Sequence, residues 1–131
     1  MADVNRGNRP LSPFMLGTHY RLQINSAMSI SHRLTGLGLA LTAMLLVWWF
    51  MAAATDPGYF AFVDGLLTSW IGTLVMLLSL AALWYHFFAG IRHLVWDAGV
   101  GLEKSQIRPG GITVLVAAGV MTLLTIIIAL F

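Results

Sequence analysis

The chain has 131 residues, 59% of them hydrophobic and only 9% charged, with a mean hydropathy of +0.85. Soluble domains carry charge on about a quarter of their residues and disordered chains lack apolar surface to bury, so both classes are excluded. The absence of cysteine excludes disulfides, thiolate metal sites and iron–sulfur ligation in this chain. The net charge of +2 comes from too few basic residues for a nucleic-acid partner. What remains is a membrane protein whose surroundings are lipid.

Three apolar runs follow one another, over about residues 34–54, 66–94 and 112–131. Each can supply the roughly 20 residues that a helix needs to cross ~30 Å of hydrocarbon. Asp56-Pro57-Gly58 separates the first two, and Arg108-Pro109-Gly110-Gly111 precedes the third. Gly99 and Gly101 make the loop between them flexible. No alternating ten-residue segments of the barrel kind are present. The predicted fold is therefore all-α, with three transmembrane helices over about 29–54, 66–94 and 112–131. They form one domain, 29–131, behind an N-terminal segment, 1–28.

That segment does not read as a signal peptide, since its apolar run begins too late and no small-residue cleavage site closes it. Its prolines predict extended backbone at Arg9-Pro10-Leu11-Ser12-Pro13, either loosely held or docked on a surface or partner. Arg6, Arg9, Arg21 and Arg33 precede or open the first span, and Arg92, Lys104 and Arg108 lie around the second loop. The first loop holds Asp56 and Asp64 with no Lys or Arg. The positive-inside rule then predicts a cytoplasmic N-terminus and a periplasmic C-terminus.

Ionisable residues within a bilayer are expensive and usually functional. His86 lies inside the second span, seven residues before His93. In a helix this separation is about two turns, or about 10.5 Å, on one face. Gly72, Val75, Ser79, Ala82, His86, Gly90 and His93 form one stripe, with Leu77, Leu80, Trp84, Phe88, Ile91 and Val95 expected on the lipid side. Small residues on a stripe serve helix packing, and they also clear room for a flat macrocycle whose iron a histidine can ligate. His86 alone reads equally as a hydrogen-bonded structural histidine and as a ligand or proton relay. No second histidine lies level with it, so a haem bound there takes its other ligand from another chain.

A second constellation opens the first span, where Ser29, His32, Arg33, Gly36, Ala40 and Ala43 share one predicted face. Arg33 is either a headgroup anchor or a fixed cation facing the bundle. Ser29, one turn away, offers a hydroxyl to a carbonyl oxygen. If the two helices pack, His32, Arg33 and His93 meet at one depth, where three donors suit an anionic group such as a haem propionate.

Arg9-Pro10-Leu11-Ser12-Pro13, then Ser29-Ile30-Ser31-His32-Arg33-Leu34-Thr35-Gly36, then the run from His86 through Gly90, Arg92 and His93 to Trp96-Asp97 stand in order along the chain. In these motifs, its length and its helix order the sequence resembles the cytochrome b subunit of succinate dehydrogenase. The resemblance implies a complex with a flavoprotein that oxidises succinate, an iron–sulfur subunit, and a second membrane anchor. The two anchors would share one haem b and bind quinone as substrate. It also implies His86 as one axial ligand, with the other histidine on the partner anchor. His32, Arg33 and His93 would lie at the propionates, and Ser29 and Arg33 at the quinone. Phe14 departs from the pattern, since many relatives carry histidine there. A fumarate reductase anchor and a haem-free structural anchor are the alternatives. An opening Met1 without a presequence favours a bacterial inner membrane over a mitochondrial one.

Overall fold

The computed structural model describes residues 22–131. The Arg9-Pro10-Leu11-Ser12-Pro13 motif, Phe14, Arg6 and Arg21 lie outside the described residues. Four helices follow in order: α1 (Ile24–Thr55), α2 (Pro57–Leu67), α3 (Trp70–Asp97) and α4 (Lys104–Leu130). No strand occurs among the described residues. Helices α1, α3 and α4 are each long and apolar enough to cross a membrane, which gives the three-span, all-α fold that the sequence predicts.

The first turn is as tight as Asp56-Pro57-Gly58 suggests. Asp56 ends α1 and begins α2, its carboxylate accepting from the Tyr59 N–H at 2.9 Å with Pro57 at the first helical position. Trp48 Nε1 donates to Tyr59 Oη at 2.7 Å and Trp49 Nε1 to Asp64 at 3.0 Å, which holds α2 against the end of α1. The apolar run over 66–94 is not one helix. It breaks at Thr68-Ser69, where the Ser69 hydroxyl caps α3 by accepting from the Gly72 N–H at 3.2 Å. A Cβ on Gly72 would collide with the Leu66 and Leu67 carbonyls, so the close return of the chain depends on that glycine.

The second loop is a glycine turn. Gly99 and Gly101 both have φ of +78°, a left-handed conformation that costs glycine nothing. The Val100 N–H returns to the Val95 carbonyl at 3.2 Å to close α3. Helix α4 then starts at Lys104 and runs through Pro109, so Arg108-Pro109-Gly110-Gly111 does not precede the third helix but lies inside it. Proline removes one hydrogen bond there, to the exposed Ser105 carbonyl near the helix start, where the loss is smallest.

A small core joins the three spans: Met28 of α1, Tyr85 and Ala89 of α3, and Val114 and Ala118 of α4 are buried. Trp84 and Phe88 pack against it, and Trp84 Nε1 donates to Thr125 Oγ1 of α4 at 3.0 Å. These two aromatics therefore face α4 and not lipid, contrary to the expectation for that side of α3. An amphipathic pattern cannot distinguish a neighbouring apolar helix from apolar solvent. Large side chains elsewhere remain open, Leu34 at 63% and Ile128 at 77% exposure among them, as a lipid-facing surface requires.

Candidate functional site

The antiparallel packing brings the start of α1, the end of α3 and the start of α4 to one end of the bundle. Arg33, Arg92, Lys104 and Arg108, all the Lys and Arg of the described residues, lie at that end, whereas Asp56 and Asp64 lie at the other. Within the basic end, three histidines form a ladder. The His32 ring is stacked on His86 with centroids 4.1 Å apart and planes 12° from parallel. On its other side it stacks on His93 at 4.9 Å and 19°. The predicted meeting of His32 with His93 is present, and His86 joins the same column.

The hydrogen bonds of His86 fix its chemistry. Its Nδ1 lies 3.1 Å from the His32 carbonyl and 3.2 Å from Thr35 Oγ1. A carbonyl can only accept, so Nδ1 carries a proton, and in the neutral form of such a ring the lone pair is on Nε2. That tautomer is the one a metal ligand requires, with a carbonyl holding the other ring nitrogen. Nε2 makes no hydrogen bond with the described residues. Gly36 admits the ring: a Cβ there would stand 3.0 Å from His86 Cε1. His93 repeats the arrangement, with Nδ1 at 2.7 Å from the Ala89 carbonyl. His32 Nε2 is buried without a hydrogen-bond partner among the described residues, an orphan that calls for a polar group from elsewhere.

Ser29 lines a cavity of about 130 Å³ with Asn25, Met28, Ala89, Arg92, His93 and Trp96. Arg33 does not line that cavity. It is exposed, as are Ala40 and Ala43, so the face expected for α1 is too wide. The side that meets α3 carries Met28, His32, Thr35, Gly36 and Thr42, the last sharing a 2.7 Å hydrogen bond with Ser79. Beside this contact runs an apolar groove of about 500 Å³ between α1 and α3, lined by Thr35, Thr42, Ser79 and Ala82 among others.

Arg92 and Tyr85 have structural parts that the sequence reading did not give them. Tyr85 Oη donates to the Met28 carbonyl at 3.0 Å within the core. Arg92 donates through one NH2 group to Asn25 Oδ1 and to the Ile107 carbonyl, both at 3.0 Å, and stacks on Trp96 at 4.0 Å. The available signal was spacing: Tyr85, Ala89, Arg92 and Trp96 recur at helical intervals one residue behind the histidine stripe.

Three spans with a column of stacked imidazoles at one end define the class, a membrane protein with polar side chains set between its helices. Among the described residues no group of three or more His, Asp or Glu side chains could hold a metal ion unaided. Comparison with known proteins gives the particular family. Residues 5–128 match the family model of the succinate dehydrogenase/fumarate reductase transmembrane subunit. The succinate dehydrogenase cytochrome b556 subunit of Paracoccus denitrificans is 45% identical over 128 residues, 98% of this chain and 97% of that one. The b556 subunit of Rickettsia bellii is 34% identical, covering 88% and 89% of the two chains. The b560 subunit of Reclinomonas americana is 39% identical, covering 92% and 86%. The chain belongs to this family, as a membrane-anchor subunit of succinate dehydrogenase.

Proposed function

We propose that this anchor binds haem b through His86, jointly with a second membrane subunit, and contributes Ser29 and Arg33 to a quinone site. The observation that carries the reading is the orientation of His86, with Nδ1–H committed to the His32 carbonyl and Nε2 without a hydrogen bond among the described residues. The donor set fits haem b: an imidazole within a span, an apolar groove alongside, and no thiolate to compete. Haem, when bound, supplies a one-electron carrier close to the quinone.

The partner anchor would supply the second ligand. An imidazole lone pair lies in the plane of its ring. The stacked His32 and His86 rings, 12° from parallel, therefore cannot approach one iron from opposite sides. His32 and Arg33 would serve as donors to the propionates, with His93 beside them, and the orphaned His32 Nε2 is the polar atom that such a partner would satisfy. Ser29 donates to a quinone carbonyl oxygen from its cavity. Arg33, on the exposed side of α1, supplies positive charge from the subunit interface as the oxygens become more negative. Fixed donors aimed at developing charge stabilise it without reorganisation.

The basic end faces the cytoplasm by the positive-inside rule. It meets the iron–sulfur subunit there, while succinate is oxidised on the flavoprotein. The relatives from Paracoccus and Rickettsia support a bacterial inner membrane. The test is the absorption spectrum of the purified complex carrying His86→Leu. The haem b bands disappear or change ligation state, whereas an unaltered six-coordinate spectrum rejects His86 as ligand.

A further inference from the structure

We infer that Arg92 is a positioning residue for quinone reduction, acting on Ser29 through Asn25; this rests on the placement of quinone at Ser29. Helix α1 begins without a side-chain cap: Gln23 occupies the N-cap position and makes no capping bond. Uncapped first turns fray, because their N–H groups lack partners. Asn25 is the second residue of that turn, and Ser29 follows one turn later on the same side. What holds the turn is the planar fork of Arg92. One NH2 group reaches Asn25 on α1 and the Ile107 carbonyl on α4 together, both at 3.0 Å, while NH1 touches Met28 Sδ at 3.6 Å.

The fork is itself held in place. Its guanidinium lies 4.0 Å from the centroid of Trp96, one turn further along α3. Gly110 of α4 lies against it, a Cβ there standing at an ordinary contact distance of 3.5 Å from Arg92 Nε. Gly111 lets α1 approach, because a Cβ would stand 2.7 Å from Met28 Sδ. Arg92 thus joins three spans at the wall of the cavity that Ser29 lines. Its effect on quinone passes through the placement of α1, so removing the Asn25 arm alone has to reproduce it.

The experiment uses the complete complex in membranes, titrated with a short-chain quinone. Asn25→Ala, Asn25→Asp, Arg92→Gln and Arg92→Lys are each made alone and with Ser29→Ala. Asn25→Ala and Arg92→Gln raise the quinone KM about three- to tenfold, the value of roughly one hydrogen bond. The kcat changes less, and the haem spectrum and succinate oxidation with a soluble acceptor are retained. Asn25→Asp, which keeps the acceptor, recovers most of the loss. Arg92→Lys does not, because the shorter ammonium lacks the flat face that lies over Trp96 and holds the donor in place.

In the Ser29→Ala background the further change falls to within about twofold, since residues acting through one another are not additive. Effects that multiply with Ser29→Ala, or an unchanged KM in Asn25→Ala, overturn the inference. If Arg92→Gln fails to assemble, Asn25→Ala decides. An unchanged KM in Ser29→Ala alone instead removes the quinone placement, so the two failures are distinct.

Discussion

Gly36→Ala tests the His86 assignment without touching the ligand. The new Cβ would lie 3.0 Å from His86 Cε1, 3.6 Å from Nδ1 and 3.8 Å from Nε2. Only the first contact is too short, and relieving it requires a few tenths of an ångström. The ring cannot give freely, because Nδ1 is bonded at 3.1 Å to the His32 carbonyl and its face is stacked on His32 at 4.1 Å. Overpacking of this size costs about 1–3 kcal/mol, whereas replacing glycine by alanine within a helix returns about 1 kcal/mol. Fold stability therefore changes little, and the displacement is concentrated on the atom beside Nε2. We expect haem affinity to fall about tenfold, or about 1.4 kcal/mol, with a shifted reduction potential. Haem content per complex, the absorption spectrum and a potentiometric titration measure these. Gly119→Ala in α4, with nothing within 4 Å of the new Cβ, is the control for the helical gain alone. An unchanged spectrum and potential in Gly36→Ala would refute the reasoning.

Two further predictions follow from the same geometry. Ser29→Ala removes the hydroxyl from the 130 Å³ cavity, and an unpaired or weakened carbonyl contact of about 0.5–3 kcal/mol reduces quinone turnover between a few-fold and a hundredfold. Haem and soluble-acceptor activity persist, and undiminished turnover across quinone concentrations would remove Ser29 from the site. The chain expressed without its partner anchor should bind haem weakly or in altered ligation, since its rings are stacked; a native-like bis-histidine spectrum from it alone would contradict ligation in trans.

The number and type of spans were legible in the sequence because three long apolar runs admit few other folds. Helix ends were less so. Pro109 and Gly110 are ordinary breakers by local rule, yet α4 contains both, at the loss of only the bond to the exposed Ser105 carbonyl near its start. The break before α3 was missed since the run over 66–94 is dominated by apolar residues on both sides of Thr68-Ser69, although Ser69 ahead of Gly72 is a legible cap. The histidine column was half visible. Spacing placed His86 and His93 on one face, but the stacking of His32 between them depends on how α1 meets α3. Arg33 shows the limit most clearly: four residues from Ser29, it still turns out of the cavity, since a helical stripe fixes direction only to within the width of its neighbour.

Consecutive residues of α3 divide the work of packing from the work of binding. Tyr85 turns into the three-helix core and spends its hydroxyl on the Met28 carbonyl; Ala89, Arg92 and Trp96 continue that line and fasten α3 to α1 and α4. His86 is rotated by about 100° toward the open edge between α1 and α3, and Gly90 and His93 continue that second line. A ligand on the first line would be enclosed by this chain's own helices, beyond reach of a partner. On the second line it is oriented by one neighbouring carbonyl and still open on the remaining side. Inserting a single residue into α3 ahead of Tyr85 would turn both lines by about 100°, putting the phenol at the edge and the imidazole where Phe87 now stands, 52% exposed. The spacing of both lines is therefore what leaves His86 oriented as the proposed shared site needs, in a chain with so little polar surface.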